Sequence, residues 1–342
     1  MSYIHAGGRG KRAQMTSAKP ETPPPDPPDR AEEVRTGAAR VKRALRPVLA
    51  VFAVVFVVWA FRDLVRRWDS SSVHISWGLV ALSLVPLGLG GLVLAGAWAY
   101  LVERMAGSKV AFGPALALHA ESQLARYVPG KVGIPVVRMA GAKGIGVLPA
   151  VAGSSVFVEL ASFVAVGGLV GFGLIAWLGQ SDASLGALLG RFAPIVVGLL
   201  GLVVALLVVV DRRRCPARLT RALGLQGEGP LVPRRLPLLH VAYWLTWALH
   251  GYLVTRAVGA DALGAWSSSG MFVVAPIVGF LALAAPAGAG VREAVLSMGL
   301  VPVVGAAPAL SALLLSRGAT LVADVAVWLA LRPLRARQSS GR

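Results

Sequence analysis

Long apolar segments alternate with short polar segments along most of this chain. A transmembrane α-helix needs about 20 consecutive, mostly apolar residues, and several segments approach or exceed that length with few or no charged residues. This pattern predicts an all-α polytopic membrane protein. The six predicted spans cover residues 47–61, 77–101, 148–178, 192–210, 236–255 and 307–331.

Composition and charge support this class. Hydrophobic residues make up 56% of the 342 residues and charged residues only 15%, which is unusual for a soluble protein. The net charge is +18, but 21 of the 34 Lys and Arg residues lie within residues 1–46, 211–235 and 332–342. Basic loops of a membrane protein mark its cytoplasmic side and attract anionic lipids. We therefore expect anionic lipids, and not nucleic acid, as partners of the cytoplasmic face.

Two polar segments interrupt the apolar pattern. The first runs from His119 to Arg138 and carries Glu121, Arg126 and Lys131. The second, at residues 281–297, contains several Pro and Gly residues followed by an adjacent Arg and Glu. Ionisable groups at membrane depth are costly, so they normally face a cavity, a partner or a transport pathway. The two segments together are the predicted functional site.

The basic loops also predict how these segments lie in the membrane. A full crossing by residues 112–143 would place the basic 211–235 loop outside the cell, against the positive-inside rule. The same parity argument applies to residues 267–299. Both segments are therefore predicted to be re-entrant helical hairpins that enter from opposite sides. We expect six full spans and two such hairpins in an inverted repeat, with both termini cytoplasmic.

Domain boundaries follow from local composition. Residues 1–39 are rich in Pro and charged residues and bury too little apolar surface to fold, which predicts a disordered cytoplasmic tail. Residues 40–334 form the predicted transmembrane domain, and residues 335–342 form a basic C-terminal tail. Cys215 is the only cysteine, so an intrachain disulfide is excluded.

A re-entrant hairpin places helix ends inside the membrane, where unpaired backbone N–H groups can bind the phosphate of a lipid. Lys131 would add a point charge, and Arg126 or Arg292 would hold phosphate oxygens through two hydrogen bonds. The hairpin tips, 129–131 and 286–292, should face each other across the membrane interior. The predicted lipid-phosphate site comprises Arg126, Tyr127, Pro129, Gly130, Lys131, Gly288, Gly290 and Arg292.

Neighbouring charged residues offer a structural alternative. Arg292 would then pair with the adjacent Glu293, and Arg126 with Glu121, as ion pairs that have no role in transport. Each pair would neutralise one arginine of the predicted anion site.

Three more charged residues lie in the spans that follow the hairpins. Arg317 and Asp324 are seven residues apart on one helix face, which favours an ion pair between them. Glu159 and Asp324 would otherwise neutralise Lys131 or Arg292 between substrates, or carry a coupling proton.

Motifs for soluble enzyme chemistry are missing from the sequence. The Pro-Gly-Lys of residues 129–131 is not a nucleotide-binding loop, because no Ser or Thr follows the lysine. No cofactor and no metal are expected. His119 and His250 are predicted to be hydrogen-bonded polar residues and not proton relays.

Two segments resemble a known family. ARYVPGKVG at 125–133 and APAGAGVREAVL at 285–296 resemble the paired signatures of the flippase-like membrane domain of lysylphosphatidylglycerol synthases, the multiple peptide resistance factors. The resemblance covers roughly residues 46–331. It implies a multi-pass protein of a bacterial or archaeal plasma membrane that moves lipids or lipid-linked glycans between leaflets. The chain ends eleven residues after Leu331, so we expect no synthase domain and no lysyl transfer.

The leading functional expectation is translocation of a lipid with an anionic head group, either a membrane phospholipid or a polyprenyl-phosphate-linked lipid. One alternative is a membrane transferase that uses a polyprenyl-phosphate-linked donor, with Glu121 or Glu159 as base. The other is a scaffold that binds envelope-synthesis enzymes, which would tolerate the loss of Lys131 and Arg292.

Overall fold

The computed structural model describes residues 73–127, 132–178, 232–281 and 290–336, with short stretches between 195 and 230. Several predictions concern residues outside these ranges. They are Pro129, Gly130, Lys131, Gly288, the span at 47–61, most of the span at 192–210, the tail at 1–39 and most of the tail at 335–342.

Helices make up nearly all of the described chain, and no strand occurs in it, so the predicted all-α class is confirmed. In chain order the helices are α1 (Trp77–Ala106), α2 (Phe112–Leu124), α3 (Gly133–Gly141), α4 (Pro149–Leu178), α5 (Arg235–Ala257), α6 (Ala262–Leu281), α7 (Val291–Val304), α8 (Ala306–Leu331) and α9 (Pro333–Ala336). A 3-10 turn, Ala125–Tyr127, follows α2, and another, Ala142–Ile145, follows α3.

Within the described residues, four helical segments are long and apolar enough to cross a membrane. One of them, Ala262–Leu281, was assigned from the sequence to an arm of a re-entrant hairpin. The number of membrane crossings therefore stays a prediction. The four apolar helices do support the assignment to the class of membrane proteins. The four segments are Trp77–Ala106, Pro149–Trp177, Ala262–Leu281 and Ala306–Arg335.

The helices α2 and α3 pack against each other as the two arms of a short hairpin. A Cβ atom at Gly133 would lie 2.4 Å from the Ala125 carbonyl oxygen, so only glycine fits at this close approach. At 1.5 Å per residue, the 13 residues of α2 and the 9 of α3 extend about 20 and 14 Å. Either arm alone is shorter than the hydrocarbon core of about 30 Å.

A second hairpin is formed by α6 and α7, which also pack against each other. The space for this contact comes from small residues. A Cβ at Gly299 would lie 2.3 Å from Met271 Cγ, and one at Gly264 would lie 2.7 Å from a methyl group of Val303. Gly264, near the start of α6, lies beside Val303, near the end of α7, and the later Met271 lies beside the earlier Gly299. The two arms are therefore antiparallel.

The two halves of the described chain share one order of elements and one pattern of contacts. Each half consists of a long helix, a two-armed hairpin and a second long helix: α1, α2–α3 and α4 in one, α5, α6–α7 and α8 in the other. The first helices pack on each other, and the first arm of each hairpin packs on the last helix of the other half. This reciprocal pattern is the one that an inverted repeat predicts.

Substitution of Gly270 should test the contact between α6 and α4. An alanine Cβ there would lie 2.9 Å from the Gly171 carbonyl oxygen, a backbone atom that cannot move aside. Gly270→Ala should lower the free energy of unfolding by about 1–3 kcal/mol through overpacking. Thermal unfolding of the purified protein in detergent measures the effect.

Gly173→Ala is the matched control, because a Cβ at Gly173 on α4 would have nothing within 4 Å. Its midpoint should equal that of the unaltered protein. Equal midpoints for both variants would show that α4 and α6 do not pack this closely.

Candidate functional site

A cavity of about 230 Å³ lies between the two hairpins and is lined by helices from both halves. Most of its wall is apolar, and one side is aromatic, formed by Phe163, Tyr243, Trp244 and Trp247. Ionisable groups from both hairpins and from α4 and α8 interrupt this apolar wall. The charged lining residues are Arg126, Arg138, Glu159, Arg292 and Arg317.

Arg292 lies in the first turn of α7 and is buried, with 8% of its surface exposed. Its Nη2 donates a hydrogen bond of 3.3 Å to Ser316 Oγ, and its guanidinium carbon lies 5.1 Å from the ring centre of Trp247. It forms no ion pair with any carboxylate among the described residues. Arg292 is thus a buried cation that lines the cavity and has no counter-ion within the described part of the chain.

The alternative in which Arg292 pairs with Glu293 is wrong. Glu293 instead accepts hydrogen bonds from Arg317, at 2.7 Å from Nε and 2.5 Å from Nη2, and its other oxygen accepts one from the Gly290 backbone N–H. Adjacent residues of a helix point about 100° apart, so Arg292 and Glu293 do not face each other. Gly290 has a φ of 82°, a left-handed conformation that favours glycine at the start of α7.

Asp324 on α8 joins the first hairpin to the second half. Its Oδ2 accepts a 2.7 Å hydrogen bond from the Tyr127 hydroxyl and lies 3.8 Å from Arg126 Nη1. Arg126 Nε also donates to the Gln123 carbonyl oxygen, at 3.1 Å. Tyr127 therefore lies at the site and contacts a carboxylate.

Two more pairs that were suggested by the sequence are wrong. Asp324 does not pair with Arg317, because a separation of seven residues is about 10 Å along a helix and places them at different levels. Arg126 does not pair with Glu121, which forms an exposed pair with Arg335 instead. Tertiary contacts, and not sequence neighbours, decide these partners.

Arg138 is fully buried and forms the densest polar network of the site. It pairs with Glu159, donates to Ser122 Oγ at 3.1 Å and contacts His119 Nδ1 at 2.9 Å. Glu159 was expected to neutralise Lys131 or Arg292, but in the described chain its partner is Arg138. Its Oε1 is buried and has no hydrogen-bond partner there.

The predicted hydrogen bonding of the two histidines is confirmed. His119 contacts Arg138, and His250 contacts the Ser83 carbonyl oxygen at 3.2 Å and Ser316 Oγ at 3.0 Å.

Arg138 and Arg292 have similar aromatic contacts in the two halves. The guanidinium carbon of Arg138 lies 4.6 Å from the ring centre of Trp98 on α1. That of Arg292 lies 5.1 Å from Trp247 on α5. Each arginine therefore lies over a tryptophan on the first helix of its own half.

Their polar partners differ in charge. Arg138 contacts the carboxylate of Glu159 on α4, and Arg292 contacts the hydroxyl of Ser316 on α8. A carboxylate therefore neutralises one arginine, whereas the other meets an uncharged hydroxyl. The repeat is symmetric in its helices and asymmetric in its charge.

The structure brings together residues that the sequence placed on different hairpins. Arg126 and Tyr127 of the first hairpin and Arg292 of the second line one cavity. The predicted facing of the tips concerns residues outside the described ranges and stays a prediction. Ser316 and Trp247 were not predicted, because nothing in the local sequence distinguishes them from other residues of apolar helices.

These features define a polytopic helical membrane protein with a buried, charge-lined cavity between two similar halves. The chain belongs to the family of the lysylphosphatidylglycerol synthase transmembrane region, whose family model matches residues 45–327. The family resemblance of the two hairpin segments is thereby confirmed. A comparison with curated proteins found no match.

Loss of Arg138 should destabilise the protein strongly. Arg138→Ala would leave the Glu159 carboxylate buried without its counter-ion, at about 3–5 kcal/mol in the free energy of unfolding. The double variant Arg138→Met with Glu159→Leu removes both charges and should recover most of this loss. Unfolding in detergent, followed by circular dichroism, measures the difference.

Arg335→Ala is the control, because it breaks an ion pair whose side chains are 46% and 42% exposed. Its cost should not exceed about 1 kcal/mol. Similar losses from Arg138→Ala and Arg335→Ala would contradict the assignment of Arg138 to the buried network.

Proposed function

We propose that this protein moves a lipid with an anionic head group between the leaflets of a plasma membrane. The head group passes through the cavity between the hairpins, while the acyl chains stay in the surrounding lipid. The observation that carries the proposal is Arg292, a buried cation that lines the cavity and has no carboxylate partner among the described residues. Family membership supports a lipid-related role in a membrane.

The energetics of Arg292 favour an anionic ligand. A buried charge without a counter-ion loses several kcal/mol of solvation, and stacking on Trp247 returns only about 2 kcal/mol. An anion that enters the cavity supplies the missing attraction. The cavity therefore binds an anionic head group more strongly than a neutral one.

A phosphate fits the donors of the cavity. Guanidinium groups bind phosphate oxygens through two parallel hydrogen bonds, which gives both strength and orientation. Arg292 from the second hairpin and Arg126 with Tyr127 from the first line the same cavity. A phosphate between them would have donors on two sides, and the substrate is therefore a phospholipid or a polyprenyl-phosphate-linked lipid.

Transport also requires access from both leaflets. Inverted repeats with interrupted helices provide it by moving one repeat relative to the other around a central site. The reciprocal packing of the two halves supports this arrangement. In the proposed arrangement the hairpins are re-entrant, both termini are cytoplasmic, and the basic tails contact anionic lipids.

No observation favours the transferase alternative. Glu121, one candidate base, does not line the cavity and pairs with Arg335 at the surface. Glu159, the other, is engaged by Arg138. The scaffold alternative predicts that the cavity arginines can be lost without effect, which makes it an outcome of the next experiment.

Arg292→Ala should slow leaflet exchange of labelled phosphatidylglycerol at least tenfold, because the head group loses its unpaired cation. The assay uses vesicles of phosphatidylcholine that hold the purified full chain, with reduction of the label in the outer leaflet as readout. Arg256→Gln is the matched control. Arg256 lies at the end of α5, outside the cavity lining, and donates to the Ala260 carbonyl oxygen.

Exchange by the unaltered protein no faster than in empty vesicles would contradict translocation. That outcome would support the scaffold alternative. Equal exchange by the unaltered protein and Arg292→Ala would show that Arg292 does not bind the head group during transport.

Ser316→Glu should inactivate the cavity without removing any cation. It places a carboxylate beside Arg292, whose Nη2 contacts residue 316, so Arg292 gains a counter-ion as Arg138 has in Glu159. Exchange should fall at least tenfold, while the protein stays folded by size-exclusion chromatography. Ser316→Ala, which adds no charge, should keep most of the exchange. Normal exchange by a folded Ser316→Glu protein would show that the unpaired charge of Arg292 is not required.

A further inference from the structure

The two arginines that the hairpins contribute to the cavity differ in their partners. Arg292 has no carboxylate partner among the described residues, whereas Arg126 and Tyr127 both contact one oxygen of Asp324. Arg126 and Tyr127 are also the donors that the first hairpin offers to a phosphate. While the Tyr127 hydroxyl donates to Asp324, it cannot donate to a ligand.

The contact with Asp324 is loose enough to exchange. Arg126 Nη1 lies 3.8 Å from the carboxylate, and the Arg126 and Asp324 side chains are 30% and 17% exposed. The contact uses a single carboxylate oxygen, so it lacks the two parallel hydrogen bonds that make arginine–phosphate pairs strong. A phosphate in the cavity can therefore displace the carboxylate.

Asp324 also lies beside the main cavity and not across it. It lines a smaller neighbouring cavity of about 20 Å³ that shares Gln123, Arg126 and Trp247 with the larger one. The carboxylate thus reaches the same cation as a ligand would, but from an adjoining space. Head group and carboxylate can exchange at Arg126 without either blocking the entry of the other.

We propose that Asp324 is an internal anion that occupies Arg126 and Tyr127 in the empty protein and competes there with the phosphate of the lipid. This inference rests on the proposed function, since it assumes an anionic head group in the cavity. It assigns to Asp324 the release of that head group. When the phosphate leaves, Asp324 takes its donors, so rebinding at this end is opposed.

The competition has a structural consequence. The contact joins the end of α2 to α8, and hence the first hairpin to the last helix of the other half. A bound phosphate breaks this link, and its departure restores it. Occupation of the cavity is thereby coupled to the contact between the two halves.

The test is the affinity of Asp324→Asn for phosphatidylglycerol. If Asp324 holds the donors for about nine-tenths of the time, its removal should tighten apparent binding about tenfold. Binding of dioctanoyl phosphatidylglycerol to the purified full chain in a non-ionic detergent is measured by titration calorimetry. Leaflet exchange of labelled phosphatidylglycerol should fall, because release is slower.

Two control variants separate competition from other effects. Glu121→Gln removes an equal charge from α2 of the first hairpin, but Glu121 pairs with Arg335 and does not line the cavity, so the affinity of this variant should be unchanged. Asp324→Glu keeps a carboxylate and should bind as weakly as the unaltered protein.

Unchanged or weaker binding by folded Asp324→Asn would overturn the inference and leave the proposed function standing, provided that exchange still depends on Arg292. Asp324→Ser gives the same comparison with a smaller side chain. Failure of both uncharged variants to fold would show a structural ion pair and would also overturn the inference. Absence of phosphatidylglycerol binding by the unaltered protein would count against the proposed function itself.

Discussion

A charge inside an apolar helical protein needs a partner, and this requirement determines which helices meet around the cavity. Arg138 on the first hairpin pairs with Glu159 on α4, and Glu293 on the second hairpin pairs with Arg317 on α8. In both halves the second arm of a hairpin is thus joined to the helix that follows it, with the signs of the charges reversed. Because breaking a buried pair is far costlier than keeping it, these contacts hold each hairpin beside its last helix.

The same requirement makes the exception informative. Arg138 and Arg292 each lie over a tryptophan on the first helix of their own half, but Arg138 pairs with Glu159 whereas Arg292 contacts the uncharged Ser316. Among the described residues, no carboxylate neutralises Arg292. A symmetric scaffold can in this way present an asymmetric binding site.

The sequence predicted the helices well and their charge partners poorly. Apolar length locates helices such as Trp77–Ala106. The placement of Arg126 and Arg292 at one cavity followed from the symmetry of the two hairpins. The alternative partners Glu121 and Glu293 were wrong because they were chosen by closeness in sequence.

Partner choice depends on the distances between helices, which hydropathy does not contain. Arg138 and Glu159 are 21 residues apart on different helices, and no periodicity of either helix connects them. Ser316 is still harder to predict, because its hydroxyl contacts Arg292 without supplying a negative charge. Its importance becomes visible only when the two halves are compared contact by contact.

The stacking of Arg292 on Trp247 explains how such a charge can persist and still bind a ligand. A guanidinium group is planar, so an aromatic ring can cover its face while its N–H donors at the edge remain available. A lysine would need hydrogen-bond acceptors around its ammonium group and would lose them to the ligand. Arginine keeps its aromatic contact whether or not an anion is present. The positive charge is therefore held in place by an interaction with which a phosphate does not compete.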